Sequence, residues 1–350
     1  DGQWIKDTMK GSGTMKYPNL DEYLGTWDEG KRVAGYGEMH YGLGGVYTGQ
    51  FDSIKQKCGL GSFVYHDGRR YNGAFDGDAC NGDGTMTYTD GSVYSGGFVR
   101  NQRCGKGTME YANGDKYTGE WKDGERTNMT EGTMKYACGN EYIGQFQDGL
   151  RQSQAGVSCS MVYLDTSCYN GQWFQGMRHT GSDDNGSAQY GQMTYKNGDI
   201  YDGEWENDKF SRKGKMSYFN GDSYTGFWGQ GLREGEGSMT YVMPEGSKGE
   251  SGGASNVFTG TFRNGERKDG DGLMTYGDGS KYTGQWITEQ RSGRGYYVDT
   301  VANNRNVYVG EWENDMKHGF GELQYVKEEM KFTGEFQFDM RFFKGLTTFD

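Results

Sequence analysis

Proline is nearly missing from this 350-residue chain, which holds two, and aliphatic side chains are scarce. Ile, Leu, Val and Phe together supply 47 residues, about 13% of the chain, against the ~20% below which disorder becomes a live reading. That scarcity excludes the Leu/Val-packed globules expected from length alone, at ~100–200 residues each. No run of about 18 apolar residues occurs, which excludes a transmembrane helix. No secretory leader is visible, and because the numbering starts at Asp1 an earlier targeting segment stays open. The six cysteines (Cys58, Cys80, Cys104, Cys138, Cys159 and Cys168) form no C-x-x-C pair, so a reduced, intracellular chain is expected. A basic excess is also lacking. The net charge of −12 and pI near 5.0 argue against broad nucleic-acid binding and weaken attraction to anionic lipid.

Glycine is abundant instead: 63 residues, 18%, against a usual ~7%. Aromatics make up 15%, with 27 Tyr and 8 Trp, which a disordered chain would not carry. Glycine does not fall at every third position, so the chain is not collagen.

The chain is a repeat from end to end. Its first half-motif is aromatic, any, Gly, any, aromatic. It runs through Tyr23-Gly25-Trp27, Tyr47-Gly49-Phe51, Tyr71-Gly73-Phe75, Tyr94-Gly96-Phe98, Tyr117-Gly119-Trp121 and Tyr142-Gly144-Phe146. It continues through Tyr169-Gly171-Trp173, Tyr201-Gly203-Trp205, Tyr224-Gly226-Trp228, Phe258-Gly260-Phe262, Tyr282-Gly284-Trp286, Tyr308-Gly310-Trp312 and Phe332-Gly334-Phe336. Gly2 and Trp4 are the remnant of one more copy. A second half-motif, G-x-G-x-M-x-Y, follows, as in Gly82-Gly84-Met86-Tyr88 and Gly105-Gly107-Met109-Tyr111. Both halves have a period of two, so the named residues share one face of a strand. Turn formers separate them, such as Lys122-Asp123-Gly124 within a unit and Asn113-Gly114-Asp115 after it. Each unit therefore reads as one β-hairpin of about 23 residues.

The face opposite the rings carries Thr, Lys, Glu and Asp and is wet. On the ring face glycine makes room, because a ring can lie over a residue with no Cβ. One hairpin is marginal alone, but stacked hairpins bury their rings against neighbours. The expected fold is all-β: an elongated, single-layer, twisted array of about fourteen hairpins. At ~4.8 Å per strand each unit advances roughly 10 Å, for a rod on the order of 130 Å. Such an array presents an aromatic trough as a candidate protein-binding site. Its lining would be Tyr47, Phe51, Tyr71, Phe75, Tyr94, Phe98, Tyr117, Trp121, Tyr142, Phe146, Tyr201, Trp205, Tyr282 and Trp286, structural first and contacting second.

One continuous array over 1–350 is expected, regular in 1–150, irregular in 151–256 and repeating again in 257–350. Val157 and Cys159 replace both glycines before Met161, and Gln189 and Arg212 replace the first glycine before Met193 and Met216. Extra residues fall around His179 to Ser187 and Glu245 to Asn256, the second with the chemistry of a mobile linker. A bend or a partner contact is expected between Val157 and Asn256.

No residue pattern points to a reaction, a cofactor or a metal. Asp76-Gly77-Asp78 with Asn81 and Asp83 lacks the glycine and glutamate of a calcium loop and reads as a turn. Cys58, Cys104 and His318 share one place in the repeat, but Cys58 and Cys104 lie roughly 20 Å apart along it, too far to share zinc. His40, His66, His179 and His318 sit in separate units with no nucleophile at a recurring spacing, and Glu328-Glu329 looks like solvated surface. The G-x-G pairs precede strands and no G-K-[ST] follows, so no phosphate loop is present.

The unit Y-x-G-x-[WF]…G-x-G-x-M-x-Y-x-x-G resembles the MORN (membrane occupation and recognition nexus) repeat over essentially the whole chain. The resemblance implies a chain of hairpins acting as a non-catalytic scaffold that positions other proteins in a large cytoskeletal assembly. Radial-spoke-head-like ciliary proteins and cortical scaffolds are the nearest members implied. Cytoplasm and cilium are the favoured location, with an organelle left open. Two alternatives follow from the same resemblance: a phospholipid-binding tether, and an accessory structural subunit of an organellar membrane complex. Expected partners are proteins of a multi-subunit assembly, with self-association through unpaired array ends such as Gly345 to Asp350. Nucleic acid is not expected, and membrane lipid ranks below protein.

Overall fold

The computed structural model describes residues 2–5, 7–181, 189–243, 255–300 and 305–349. Most of the two inserts, residues 182–188 and 244–254, lies outside the described residues, so the mobile linker expected there does too. Strands and turns account for the regular structure of the described residues, with no helix among them. The chain divides into two compact units, Asp1–Leu164 with Phe174–Gly176 and Asp165–Trp173 with Met177–Asp350. Within each unit the strands pair antiparallel with their neighbours in the chain, as hairpins must.

The stretch Val93–Val99, Gln102–Glu110, Lys116–Lys122 shows the pattern. Tyr94 faces Met109 inside one hairpin, and Met109 faces Tyr117 of the next. Between units the register is unbroken from Gly105–Trp121 to Glu110–Lys116. Inside the hairpin it shifts once, between Phe98–Arg103 and Gly96–Gly107. This β-bulge recurs at the same place in unit after unit, for example at Gly25/Trp27, Gly226/Trp228 and Gly284/Trp286.

The bulge separates the jobs of the two glycines in G-x-G. The first sits in the bulge with left-handed backbone, φ 70° at Gly105. Where Arg212 replaces it, the arginine takes φ 49°, a conformation disfavoured for side-chain-bearing residues. The second glycine lies under a ring: a Cβ on Gly107 would come within 2.6 Å of Tyr94 Cζ. The expected ring-over-glycine packing thus holds for the second glycine and for the glycine of Y-x-G-x-W, while the first serves the backbone.

Neighbouring turns are tied together at both edges of the sheet. At one edge the turn Asn113-Gly114 closes through Gly114 N donating to the Tyr111 carbonyl at 2.9 Å. Asp115 then accepts from Ala137 N of the next turn at 2.8 Å, and Asp199 and Asp222 do the same for Phe219 and Val242. At the other edge Asp123 and Gly124 both take positive φ, 52° and 86°, as a two-residue primed turn demands. Here Asp78 accepts from Lys57 N, Asn101 from Cys80 N and Asp315 from Arg291 N, at 2.8–2.9 Å. The turn residues read as local punctuation are therefore also links between units, about 1 kcal/mol each by the usual worth of such bonds. The strands around the unit boundary are short, Leu150–Arg151, Cys159–Val162, Cys168–Gly171 and Met177–Arg178 among them.

Candidate interaction surface

The ring face has three layers. Glycine forms its floor. The second layer is the rings of the first half-motif, which interlock edge to face. Tyr47 meets Phe51 of its own hairpin at 5.1 Å and Phe75 of the next at 5.0 Å. Tyr71–Phe75 and Tyr71–Phe98, Tyr94–Phe98 and Tyr94–Trp121, and Tyr117–Trp121 and Tyr117–Phe146 repeat the zigzag at 5.0–5.5 Å. Tyr142–Phe146 continues it at 5.1 Å, and Tyr201–Trp205 and Tyr282–Trp286 follow it in the C-terminal unit at 5.3 and 5.2 Å. Each such pair contributes about 0.5–1.5 kcal/mol beyond burial.

All fourteen residues read as trough lining belong to this layer. Tyr47, Tyr71, Tyr94, Tyr117, Tyr142, Tyr201 and Tyr282 are 0% exposed, and Phe51, Phe75, Phe98, Trp121, Phe146, Trp205 and Trp286 at most 4%. These rings face one another, not solvent, and a ligand on this face would meet what covers them. Tyrosine at the first position has a further use. In most hairpins its hydroxyl donates to the carbonyl three residues on, at the bulge: Tyr47 to Gln50 at 2.9 Å, Tyr94 to Gly97 at 3.2 Å, Tyr282 to Gln285 at 2.9 Å. Tyr23 and Tyr117 are the exceptions, their hydroxyls buried without a partner. Burial pushes these phenols up, Tyr94 and Tyr224 to about 12 despite the arginines nearby that lower them. Trp27, Trp121, Trp205, Trp228 and Trp286 at the last position donate the indole N–H to a glycine carbonyl of the preceding hairpin, Trp121 to Gly107 at 3.1 Å and Trp205 to Gly191 at 2.8 Å among them.

The third layer is the cover, built from residues the repeat motif did not single out for binding. One component is the tyrosine that ends M-x-Y, such as Tyr88, Tyr111, Tyr136 and Tyr241, each partly exposed. The other is a cation two residues beyond the primed turn. It faces the Trp or Phe across the hairpin: Arg32 opposite Trp27, Arg103 opposite Phe98, Arg126 opposite Trp121, Arg233 opposite Trp228. Arg267, Arg291 and Arg341 occupy the same place in the C-terminal unit, and lysines hold it at Lys57 and Lys317. The guanidinium of Arg103 lies 4.5 Å from the Trp121 ring and that of Arg32 lies 3.9 Å from Tyr23. Stacking of this kind contributes about 0.5–2 kcal/mol per pair. Cations also reach the covering tyrosine of the preceding hairpin: Arg267 Nη2 donates to Tyr241 Oη at 2.6 Å and Lys57 Nζ to Tyr41 Oη at 3.3 Å.

Three places in the row are neutral among the described residues, the first being Met9 opposite Trp4. Cys80 is buried there, with Sγ 3.4 Å from Tyr65 Oη, and Phe210 stacks on Tyr201 at 3.8 Å. A G-x-R spacing after the primed turn is the signal in the sequence for Arg32, Arg126, Arg233 and Arg267, but not for Arg103 or Arg291, whose turns end in Asn101 and Glu289. The covering tyrosine is legible too, because its strand ends at the turn and no glycine two residues on can seat its ring.

Among the described residues no group of three or more His, Cys, Asp or Glu is placed to hold a metal ion. Asp76 and Asn81 bond each other at 3.3 Å, and Asp78 is engaged by Lys57.

The MORN-repeat family model matches nine stretches: residues 1–22, 71–93, 94–116, 117–127, 142–154, 169–179, 201–223, 224–243 and 308–328. No curated protein sequence matches the chain. Among solved structures, the TCP10 domain of Danio rerio CPAP in complex with a peptide of Danio rerio STIL is similar at 8% identity and TM-score 0.35, covering 74% of this chain and 96% of that one. The TCP domain of Drosophila melanogaster SAS-4 with a proline-rich motif of Ana2 reaches 12% and TM-score 0.30, covering 49% and 85%. A streptogramin B lyase gives 9% and 0.13, covering 86% and 90%. Likeness at this level carries no functional weight. The motif, its hairpins and the matched stretches together decide the matter: the chain is a MORN-repeat protein, made largely of that repeat.

Proposed function

We propose that this chain is a non-catalytic scaffold whose covered ring face holds partner proteins within a multi-subunit cytoskeletal assembly, ciliary or cortical. The observation that carries the reading is the regular cover layer. Partly exposed tyrosines and cations recur in most hairpins over the buried ring core, and tyrosine and arginine are the side chains that protein interfaces favour. MORN repeats commonly mediate contacts with proteins or lipids, which supports the same face in the same use. Six free thiols suit a reducing intracellular compartment, the cytoplasm and cilium foremost.

The test is site-specific photocrosslinking in cells of the native source, with the crosslinker at Tyr88 or Tyr111 on the ring face and at Thr108 on the opposite face. Protein adducts from the first two positions and not from Thr108 are expected. Lipid adducts at Tyr88 and Tyr111, or equal protein adducts from both faces, would overturn the reading.

A further inference from the structure

What stands in the primed turn of the following hairpin decides whether a ring-face cation has a counter-charge. Where an aspartate ends that turn it takes the cation in three of four cases: Asp78 with Lys57 at 3.2 Å, Asp208 with Arg178 at 2.9 Å, Asp315 with Arg291 at 3.1 Å, while Asp339 accepts from the Lys317 backbone N–H instead. Where glycine ends it, the guanidinium donates to the glycine's backbone carbonyl: Arg103 to Gly124, Arg126 to Gly149 at 3.2 Å, Arg233 to Gly265. Among the described residues Arg32, Arg103, Arg126, Arg233 and Arg267 form no ion pair, whereas Lys57, Arg178 and Arg291 do. Arg32 and Arg126 also keep buried N–H groups with no acceptor. A chain with 49 carboxylates and 37 Lys and Arg therefore leaves these guanidinium groups unneutralised on one face.

Arg103 and Arg126 are consecutive in the row, both in the N-terminal unit, and both lie over rings: Arg103 4.5 Å from Trp121, Arg126 5.1 Å from Tyr117. One hairpin separates them, two strands or roughly 10 Å. An extended segment of polyproline-II character has three residues per turn and rises ~3.1 Å per residue, so every third side chain returns to one face after about 9 Å. Tyr88 and Tyr111, partly exposed, flank the pair and offer rings to the residues between. Building on the scaffold reading, we propose that Arg103 and Arg126 dock an acidic extended segment of a partner protein, carboxylates at every third residue each taking one guanidinium. An anionic bilayer is the other source of such charge. It is disfavoured because the sequence holds no run of five or more basic residues to gather headgroups.

The experiment titrates the full chain with a short synthetic peptide bearing Glu at every third residue, with its Gln counterpart, and with vesicles of phosphatidylcholine and phosphatidylserine. The Glu peptide is expected to bind at least about tenfold more tightly than the Gln peptide, and the Arg103→Gln/Arg126→Gln pair to lose that margin. Arg103→Lys/Arg126→Lys should keep most of it. Arg291→Gln, whose cation already has Asp315, should stay within about twofold of the native chain. Equal affinity for the two peptides, or an unchanged margin in the folded glutamine pair, would overturn the proposal, as would binding to the vesicles in place of the Glu peptide. The Glu-against-Gln contrast uses the native chain, so it decides even where the glutamine pair melts early. Failure of the Glu peptide alongside protein adducts at Tyr111 would remove the acidic chemistry and leave the scaffold standing.

Discussion

Gly119→Ala is the sharpest perturbation of the ring-on-glycine core. A Cβ there would lie 2.7 Å from Tyr117 Cζ, where carbon atoms prefer ~3.5–4.0 Å. The ring has nowhere to go: Trp121 stands 5.5 Å from it, Phe146 5.4 Å, and Arg126 covers it at 5.1 Å. Overpacking of this size costs about 1–3 kcal/mol. Alanine's lower chain entropy in the unfolded state returns about 0.5–1 kcal/mol, for a net loss of roughly 0.5–2 kcal/mol. Removing the ring by Tyr117→Ala costs about 3–5 kcal/mol by itself. In that background the added methyl has free space, so Gly119→Ala should become neutral or stabilising. The Tyr117 hydroxyl is buried without a hydrogen-bond partner, so no lost bond confuses the cycle. Repeat arrays open locally, and the readout is therefore amide hydrogen exchange across strand Lys116–Lys122, supported by urea unfolding. A coupling of about 1–3 kcal/mol is expected. The same cost in both backgrounds, or none in the native chain, would refute the packing argument.

Two further expectations come from the same layer. Phe258 occupies the tyrosine place without its hydroxyl, so Phe258→Tyr should donate to the Thr261 carbonyl at the bulge and raise stability by about 1 kcal/mol in urea unfolding, with a loss counting against that role. Burial holds Tyr94 and Tyr224 near 12 while unfolded tyrosine titrates near 10, so the folded state keeps its phenol protons longer. Stability is intact below about pH 10 and falls as pH rises from there through about 12, at up to ~1.4 kcal/mol per pH unit for each such phenol. Absorbance near 295 nm should therefore show phenol ionisation and loss of far-ultraviolet strand signal in one step; independent titration near pH 10 with the fold retained would contradict it.

Much of this was legible in the residues. The period of two in Y-x-G-x-W and G-x-G-x-M-x-Y fixed strands, face and hairpin boundaries, because each ring needs a bare glycine two residues on. What the spacing did not separate was the two glycines of G-x-G, since a glycine under a ring and a glycine in a bulge look alike until the register is known. The fourteen rings read as trough lining are core for a related reason: a one-face pattern marks burial without saying what lies above it. That cover comes from Arg103, Tyr111 and their counterparts, which sit at strand ends where periodicity is weakest. The aspartates and glycines of the turns were read as punctuation. Only the stacking of one hairpin on the next turns Asp115 into a cap for Ala137 and Asp315 into a counter-ion for Arg291.

The central claim is that the Y-x-G-x-W rings are core and the M-x-Y rings are surface. Tyrosine nitration of the native chain, mapped by mass spectrometry, addresses it most directly. Label at Tyr88, Tyr111 and Tyr241 with none at Tyr94, Tyr117 and Tyr224 until the chain is unfolded is the expected outcome. Label on Tyr94, Tyr117 or Tyr224 in the folded chain, at a rate equal to Tyr111, would contradict it.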